Sequence, residues 1–530
     1  MPAAARRFVL ETAMLAPALP VASAAGKTFA VVSDPWAGLG ELCNRLERAG
    51  ATVEIVPTHR GTPDRALPEP VAALLARVDG VVHLGAADAA RPVDARDVFA
   101  ALQPAIAGRA TTLVAAVAPR RRAAGLASGV PGLMRSVARE LPRHHVRAVE
   151  VAADQAPGVI ARLLADEVLD PAGPASVTYV DGTRTTRRVA KGTSLPSEPP
   201  KLPFDADSVV VLTGGARGIT ARAAVALARA TGCRLELLGR SPRPADEDPR
   251  TAAASDRPSL RRALIATGDL RAPSEIEAAC DRIMAARDIR ATLHTLTEIG
   301  VPTTYHAVDV RDGEALGRVL DEIRSRQGRI DAIVHGAGVL DDRLAREKTH
   351  VGFDRVFATK VDAAGHLLAG LADDVRLVVF FGSVSGVFGN RGQVDYSAAN
   401  DALDDLAARF DGAGERRVIS IDWGPWAGTG MVSPELEREY ARRGVGLIDP
   451  DEGVRALLAE MATLPGEPAQ VVVMRAEPEA LDGRPPIAPG TWTPLGAEVA
   501  VDDEPEPGDG VVAGPGRAEH ITLEDLTERG

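Results

Sequence analysis

Four side chains between residues 360 and 400 could together reduce a ketone: Lys360, Ser383, Tyr396 and Asn400. A ketone that accepts hydride builds negative charge on its oxygen. That oxygen needs two hydrogen-bond donors, one of which gives up a proton. Ser383 and Tyr396 carry the hydroxyls. A phenol titrates near pKa 10, and a neighbouring ammonium favours its ionised form, which is the part expected of Lys360. Asn400 follows Tyr396 by four residues, so both lie on one face of a helix, where Asn400 can fix Lys360 or a proton-carrying water. His335 also bears a proton, but at a strand end beside glycine its expected part is to orient backbone.

Three elements must bring these residues together. The nearly unbroken apolar run Val375 to Phe381 reads as a buried strand ending at Gly382 and Ser383. A helix opening near Gln393 and running to Phe410 carries Tyr396 and Asn400. A second helix, from Arg355 towards Leu368, carries Lys360. The C-terminal edge of a parallel sheet would collect all three.

A cofactor cradle precedes them. The strand Val209 to Leu212 runs into Thr213, Gly214, Gly215, Ala216, Arg217, Gly218, Ile219 and Thr220, and an Ala-rich helix follows. Glycines let backbone approach a pyrophosphate, and the helix N-terminus favours its charge. Candidate contacts are Thr213, Gly214, Gly215, Arg217, Gly218 and Ile219. The second strand, Leu235 to Leu238, leads to Arg240, where an acidic residue would suit a ribose hydroxyl; arginine suits a 2′-phosphate, so NADPH is the expected cofactor. Asp309 and Val310 end a third strand where an adenine ring can sit. Gly336, Ala337 and Gly338 are small enough to admit the cofactor at the end of a fourth.

The wider chain of 530 residues is long enough for several domains. Its net charge of −12, with no basic stripe interleaved with aromatics, argues against nucleic acid as the main partner. Cys43, Cys233 and Cys280 make no metal spacing and read as reduced, buried thiols of a cytoplasmic protein. No apolar run is long enough to span a membrane. Arg6 and Arg7 before an apolar run could pass for a secretion signal, yet Glu11, Pro17 and Pro20 favour an opening strand and a loop.

Strand–helix alternation appears twice, so the fold expected is α/β: two tandem Rossmann-like, doubly wound parallel-sheet subdomains. Residues 1–200 have the rhythm without a phosphate loop, since Pro35 removes a donor after the first strand. They read as a cofactor-free packing partner, followed by a hairpin at Asp181-Gly182 and a Pro-rich linker before residue 200. Residues 201–480 hold the chemistry. They include an insertion at about 242–302 with one long helix from Ile276 to Ile299, opened by a capping box at Ser274 to Glu277. Residues 481–530 are acidic and rich in Pro and Gly, a composition expected of a disordered linker.

The loop Thr213 to Thr220, the motif His335 to Gly338 and the set Lys360, Ser383, Tyr396 and Asn400 resemble the ketoreductase domains of type I polyketide synthases and polyunsaturated fatty-acid synthases. These form a branch of the short-chain dehydrogenase/reductase superfamily. In most of that superfamily the residue four after the tyrosine is lysine; here it is Asn400, with Lys360 upstream, as in the synthase branch. The resemblance implies NADPH-dependent reduction of a β-ketoacyl thioester on the phosphopantetheine arm of an acyl carrier protein, beside other megasynthase domains. It also implies that residues 1–200 are a truncated relative of the catalytic fold. Leu340, Asp341 and Asp342 resemble the B-type signature for a 3R alcohol, and Phe388 stands where A-type enzymes carry tryptophan. Pro425 and Trp426 match a segment passing the nicotinamide, followed by a lid at about 433–446. Thr220 departs from the usual final glycine of the loop. Two other readings stay open: a silent docking domain that keeps the fold, and a free-standing reductase of small ketones.

Overall fold

Val-, Ile- and Leu-rich runs form fifteen strands among the described residues, and all lie in one sheet. They are β1 (Arg6–Met14), β2 (Thr28–Val32), β3 (Thr52–Val56), β4 (Gly80–His83), β5 (Thr112–Val117), β6 (His145–Glu150), β7 (Ser176–Val180), β8 (Thr183–Lys191), β9 (Val209–Thr213), β10 (Arg234–Gly239), β11 (Thr303–Ala307), β12 (Ala332–His335), β13 (Leu377–Ser383), β14 (Arg417–Trp423) and β15 (Gln470–Met474). The structure is a computed structural model, and it describes residues 2, 4–19, 23–59, 66–85, 93–118, 128–152, 155–196, 200–412, 415–428 and 434–482.

The sheet order is β11-β10-β9-β12-β13-β14-β15-β1-β8-β7-β6-β5-β4-β2-β3. The C-terminal strands are mutually parallel, and their order reverses between β9 and β12. In such sheets the crevice outside the strand ends at that switch point binds ligands. Strands β9 and β13 are buried along nearly their whole length, as apolar runs covered on both faces must be.

The N-terminal half is also doubly wound, but in the shorter order β3-β2-β4-β5-β6, with β2 as the first strand. One strand–helix unit is missing on the β3 side, so this half shares the rhythm of its partner and not its full strand order. The loop after β2 folds back on itself: Trp36 lies where a side chain at Gly38 would stand.

β1 joins the two halves. It pairs antiparallel with β15 on one side and β8 on the other. The opening strand expected from the sequence is therefore an interior strand, tied also by an Arg7–Glu460 ion pair at 2.5 Å. The boundary expected near residue 200 does not interrupt the sheet. The hairpin of β7 and β8 turns at Asp181 (φ 48°) and Gly182 (φ 80°), the left-handed pair that a tight two-residue turn requires.

The insertion is helical. Beyond the long helix Pro273–Ile299 it contains two shorter helices, Pro249–Ala252 and Arg257–Thr267, in addition to the one helix expected. Leu260, Leu264, Ile276, Ala279 and Cys280 form its own small core. The long helix starts before the predicted capping box: Pro273 opens it, and Glu275 accepts from the Ala272 N–H at 3.1 Å. Its later turns reach the Gly-rich loop, where Thr292 Oγ1 donates to the Ala216 carbonyl (3.0 Å) and Asp288 lies 3.4 Å from Arg217. Residues 483–530 and residues 429–433, which hold the expected tail and the start of the lid, lie outside the described residues. Within the rest of the segment expected to be a lid lies the helix Pro434–Arg442. Cys43, Cys233 and Cys280 are buried free thiols.

Candidate active site

The Gly-rich loop turns between β9 and the helix Gly218–Thr231. Gly214 takes φ 73° and Gly218 φ 58°, conformations that L side chains rarely adopt. No side chain caps that helix, which leaves its first N–H groups for an anion. A Cβ at Gly214 would stand 3.1 Å from the Ala337 backbone, and one at Gly338 would stand 3.2 Å from Lys360 Cε. Gly214 thus packs against the loop after β12 and Gly338 against Lys360, whereas a Cβ at Gly218 would meet nothing within 4 Å; that open side, at an uncapped helix start, fits the pyrophosphate of a dinucleotide. Ile219 is half-buried behind the loop.

Thr220 occupies the last loop position because Gly336 faces it: a Cβ at 336 would collide with Thr220 Oγ1. Gly336→Ala is expected to cost about 1–3 kcal/mol by overpacking. Adding Thr220→Gly should restore most of that loss in denaturant unfolding, a coupling that two independent sites would not show.

At the adenosine end, Arg240 is exposed just beyond β10. Asp309 is paired with Arg311 at 2.6 Å, and its carboxyl is held below the usual range by Arg311 first and by Arg240 more remotely. Val310 is buried beside it.

Lys360 sits in a wide π-helical turn, Ala358–Asp362, between the helices His350–Phe357 and Ala363–Ala369. Such turns recur at functional sites. Its ammonium is buried and donates to the Phe381 carbonyl at 2.7 Å. Burial pulls its pKa down to about 8, against the opposing pull of Asp422 and Asp404. His335 holds the turn from below. Its Nε2 donates to the Lys360 carbonyl (2.9 Å), and Nδ1 pairs with Thr213 Oγ1 (2.7 Å). Burial and Lys360 push the imidazole down to about 3, so it stays neutral and orients backbone.

Ser383 ends β13 and caps the short helix Val384–Phe388, with its Oγ accepting from the Ser385 N–H at 3.2 Å. Tyr396 and Asn400 lie on the helix Val394–Phe410. Asn400 Nδ2 donates to the Tyr396 carbonyl at 2.7 Å, whereas its buried Oδ1 has no partner among the described residues. That orphaned acceptor suits the role expected for Asn400, holding an ammonium or a water.

The phenol corrects one expectation. Burial pushes Tyr396 up to about 12, while hydrogen bonds from Asn400 and Ser383 pull it down. Lys360 is not among the main influences on it: the ammonium donates to the Phe381 carbonyl and stands 5.4 Å from the Tyr396 ring centre. The phenol is therefore protonated at neutral pH, the form a reduction consumes.

In the loop after β12, Asp342 accepts from Gln393 Nε2 at 3.0 Å, beside the start of the Tyr396 helix. Asp341 faces away; Gly352 packs on its carboxylate, and Arg355 lies 3.4 Å from it. Leu340 is exposed. Phe388 packs with Tyr440 of the helix Pro434–Arg442 on a small cluster around Phe8 and Met474. Tyr440 adjoins both Asp342 and Tyr396, and the sequence gives no sign of it, because nothing local marks this tyrosine as site-facing. Pro425 accepts from the Ile448 N–H at 2.7 Å. The Trp426 indole is buried against Gly453 and Trp423, so position 426 offers the crevice main chain and not its ring.

The N-terminal half touches these loops at several points. Glu140 accepts from the N–H groups of Ala345 (2.7 Å) and Gly392 (3.0 Å). Arg135 donates to the Gly386 carbonyl at 2.6 Å, and Arg139 to that of Phe388 at 2.7 Å. Within the C-terminal half, a fully buried Lys348 joins Asp395 at 2.7 Å and the Asp341 carbonyl.

Fold and site together define a Rossmann-like α/β protein of the short-chain reductase kind. Residues 208–428 match the family model described as KR domain, and the chain carries a ketoreductase domain like those of polyketide and polyunsaturated fatty-acid synthases. It is 32% identical over 306 residues to a polyunsaturated fatty acid synthase polypeptide of Thraustochytrium sp., covering 55% of this chain and 11% of that protein. To erythronolide synthase EryA3 of Saccharopolyspora erythraea it is 40% identical over 173 residues, 33% of this chain and 5% of that one. The chain thus spans only a small part of these relatives. In fold it resembles the ketoreductase from the first module of phoslactomycin biosynthesis in Streptomyces sp. HK803, with TM-score 0.66 and 22% identity over 91% of this chain and 97% of that one.

Proposed function

We propose that this chain uses NADPH to reduce a β-ketoacyl thioester, presented on an acyl carrier protein, to the (3R)-β-hydroxyacyl thioester. One observation carries the reading: Lys360, Ser383, Tyr396 and Asn400 converge at the C-terminal end of β13, and the Gly-rich loop after β9 leads into an uncapped helix start. Bound NADPH would supply the hydride. Ser383 and Tyr396 would donate to the ketone oxygen as charge develops, and Tyr396 would pass it the proton. Lys360 and Asn400 would stand behind the phenol and restore that proton. The exposed Arg240 supports the 2′-phosphorylated cofactor, and Asp342 beside the Tyr396 helix supports the 3R outcome. The synthase relatives support a carrier-bound substrate and neighbouring megasynthase domains.

The test is NADPH oxidation with a β-ketoacyl N-acetylcysteamine thioester, followed by chiral analysis of the alcohol. No oxidation, or a 3S product, would refute the activity or its stereochemistry respectively. Ser383→Ala should lower kcat by roughly 10²–10³-fold, the usual cost of one preorganised donor. The rate should also fall as pH rises through about 8, where Lys360 loses its charge. A kcat that stays flat across that pH would show that the Lys360 ammonium is not required.

A further inference from the structure

The helix Ala95–Ala107 belongs to the N-terminal half, yet one of its faces is turned to the reducing centre. Arg96, Phe99 and Gln103 fall three and four residues apart, so they share that face. Phe99 stacks on Phe353 with ring centres 4.8 Å apart. Gln103 Nε2 donates to the Lys348 carbonyl at 2.6 Å.

Arg96 makes the densest contact. Its guanidinium grips Asp362 with two bonds, NH1 to Oδ2 at 2.8 Å and NH2 to Oδ1 at 3.1 Å. NH1 also donates to Asp354 at 3.0 Å, and Nε and NH2 donate to Asp94 at 2.9 and 2.6 Å. The same group lies 4.8 Å from the centre of the Phe357 ring. Asp94 caps the helix by accepting from the Arg96 N–H at 2.8 Å, so the base of the arginine is itself fixed. The Arg96 side chain is only 10% exposed, against 30% for Asp362 and 49% for Asp354.

Asp362 is the last residue of the wide turn that carries Lys360. A bidentate guanidinium–carboxylate pair restrains orientation as well as distance, which a single point charge does not. The turn is thus held at two places: by His335 at the Lys360 carbonyl, and by Arg96 two residues further on.

We infer that Arg96 is a positioning residue for the reducing centre, setting through Asp362 where the Lys360 ammonium stands. The inference rests on the reading of Lys360 as part of the reducing set. It gives the N-terminal half a part in catalysis that its own lack of catalytic residues conceals.

The test uses the full chain with Asp362→Asn, which breaks the grip and leaves Arg96 paired with Asp94 and Asp354. Arg96→Lys is the second variant, since lysine keeps the charge and cannot grip bidentately. Both should lower kcat roughly 10-fold to 100-fold, the scale of a small displacement of catalytic groups. KM for NADPH should stay within about twofold, a split that general destabilisation would not produce. Amide hydrogen exchange should quicken in peptides covering 355–368 and stay unchanged over the β7–β8 hairpin. Either readout unmoved in both variants overturns the inference. If the unmodified chain reduces no thioester, the proposed function fails on its own, and exchange at 355–368 still decides whether Arg96 holds the turn.

Discussion

Tyr396→Phe should leave a folded protein that binds NADPH as tightly as the unmodified chain and reduces its substrate roughly 10²–10⁴-fold more slowly, the range over which a positioned acid acts. The phenol hydroxyl is the proposed acid of the reducing set, and its setting keeps it protonated, near 12, at neutral pH. Phenylalanine retains the ring beside Lys360 and removes only the donor. The Tyr396 carbonyl still accepts from Asn400, and its N–H still donates to Asp395 at 2.9 Å, so the helix start is undisturbed. Fluorescence titration with NADPH and single-turnover rates separate the two effects. Full rate in the phenylalanine variant would remove Tyr396 from the mechanism; loss of NADPH binding would instead show a damaged site.

The largest stability effect is expected at Lys348. Its ammonium is wholly buried, joined to Asp395 at 2.7 Å and to the Asp341 carbonyl. Burial already raises Asp395 to about 6, with Lys348 pulling the other way. Lys348→Met leaves that carboxylate in the interior without its cation and should cost about 3–5 kcal/mol in urea unfolding. Adding Asp395→Asn removes the stranded charge and keeps an acceptor for the Tyr396 N–H, so the double variant should recover much of the loss. Equal stability of the single variant and the unmodified chain would mean that the pair contributes nothing. The pair ties the loop of Leu340 to Asp342 to the first turn of the Tyr396 helix, so its loss should also loosen that loop.

Much of the site was legible because its signals are local. Gly214 and Gly218 announce backbone that other residues adopt at a cost. The four-residue step from Tyr396 to Asn400 places both on one helix face, and the apolar run into Ser383 predicts a buried parallel strand with its end at the crevice. His335 reads as a backbone-orienting residue, and the structure gives it that part between Thr213 and Lys360. What escapes the sequence is carried by contacts distant along it. Arg96 meets Asp362 across 266 residues, and Glu140 meets Gly392 across 252, with no motif at either end. The helix Ala95–Ala107 shows its start locally, in the Asp94 cap, but nothing along it marks the face that meets Asp362.

The sequence by itself determined the elements of this protein and the chemistry they can carry. Strand, glycine turn and helix follow from steric freedom and side-chain period, and those act over a few residues. Only the tertiary structure decided that β1 would weld the two halves into one sheet, that the N-terminal half would grip the Lys360 turn, and that burial would hold the Tyr396 phenol protonated while Lys360 turns to a carbonyl. Pairing partners, burial and local dielectric are properties of the packed chain, and they have no counterpart in the spacing of residues along it.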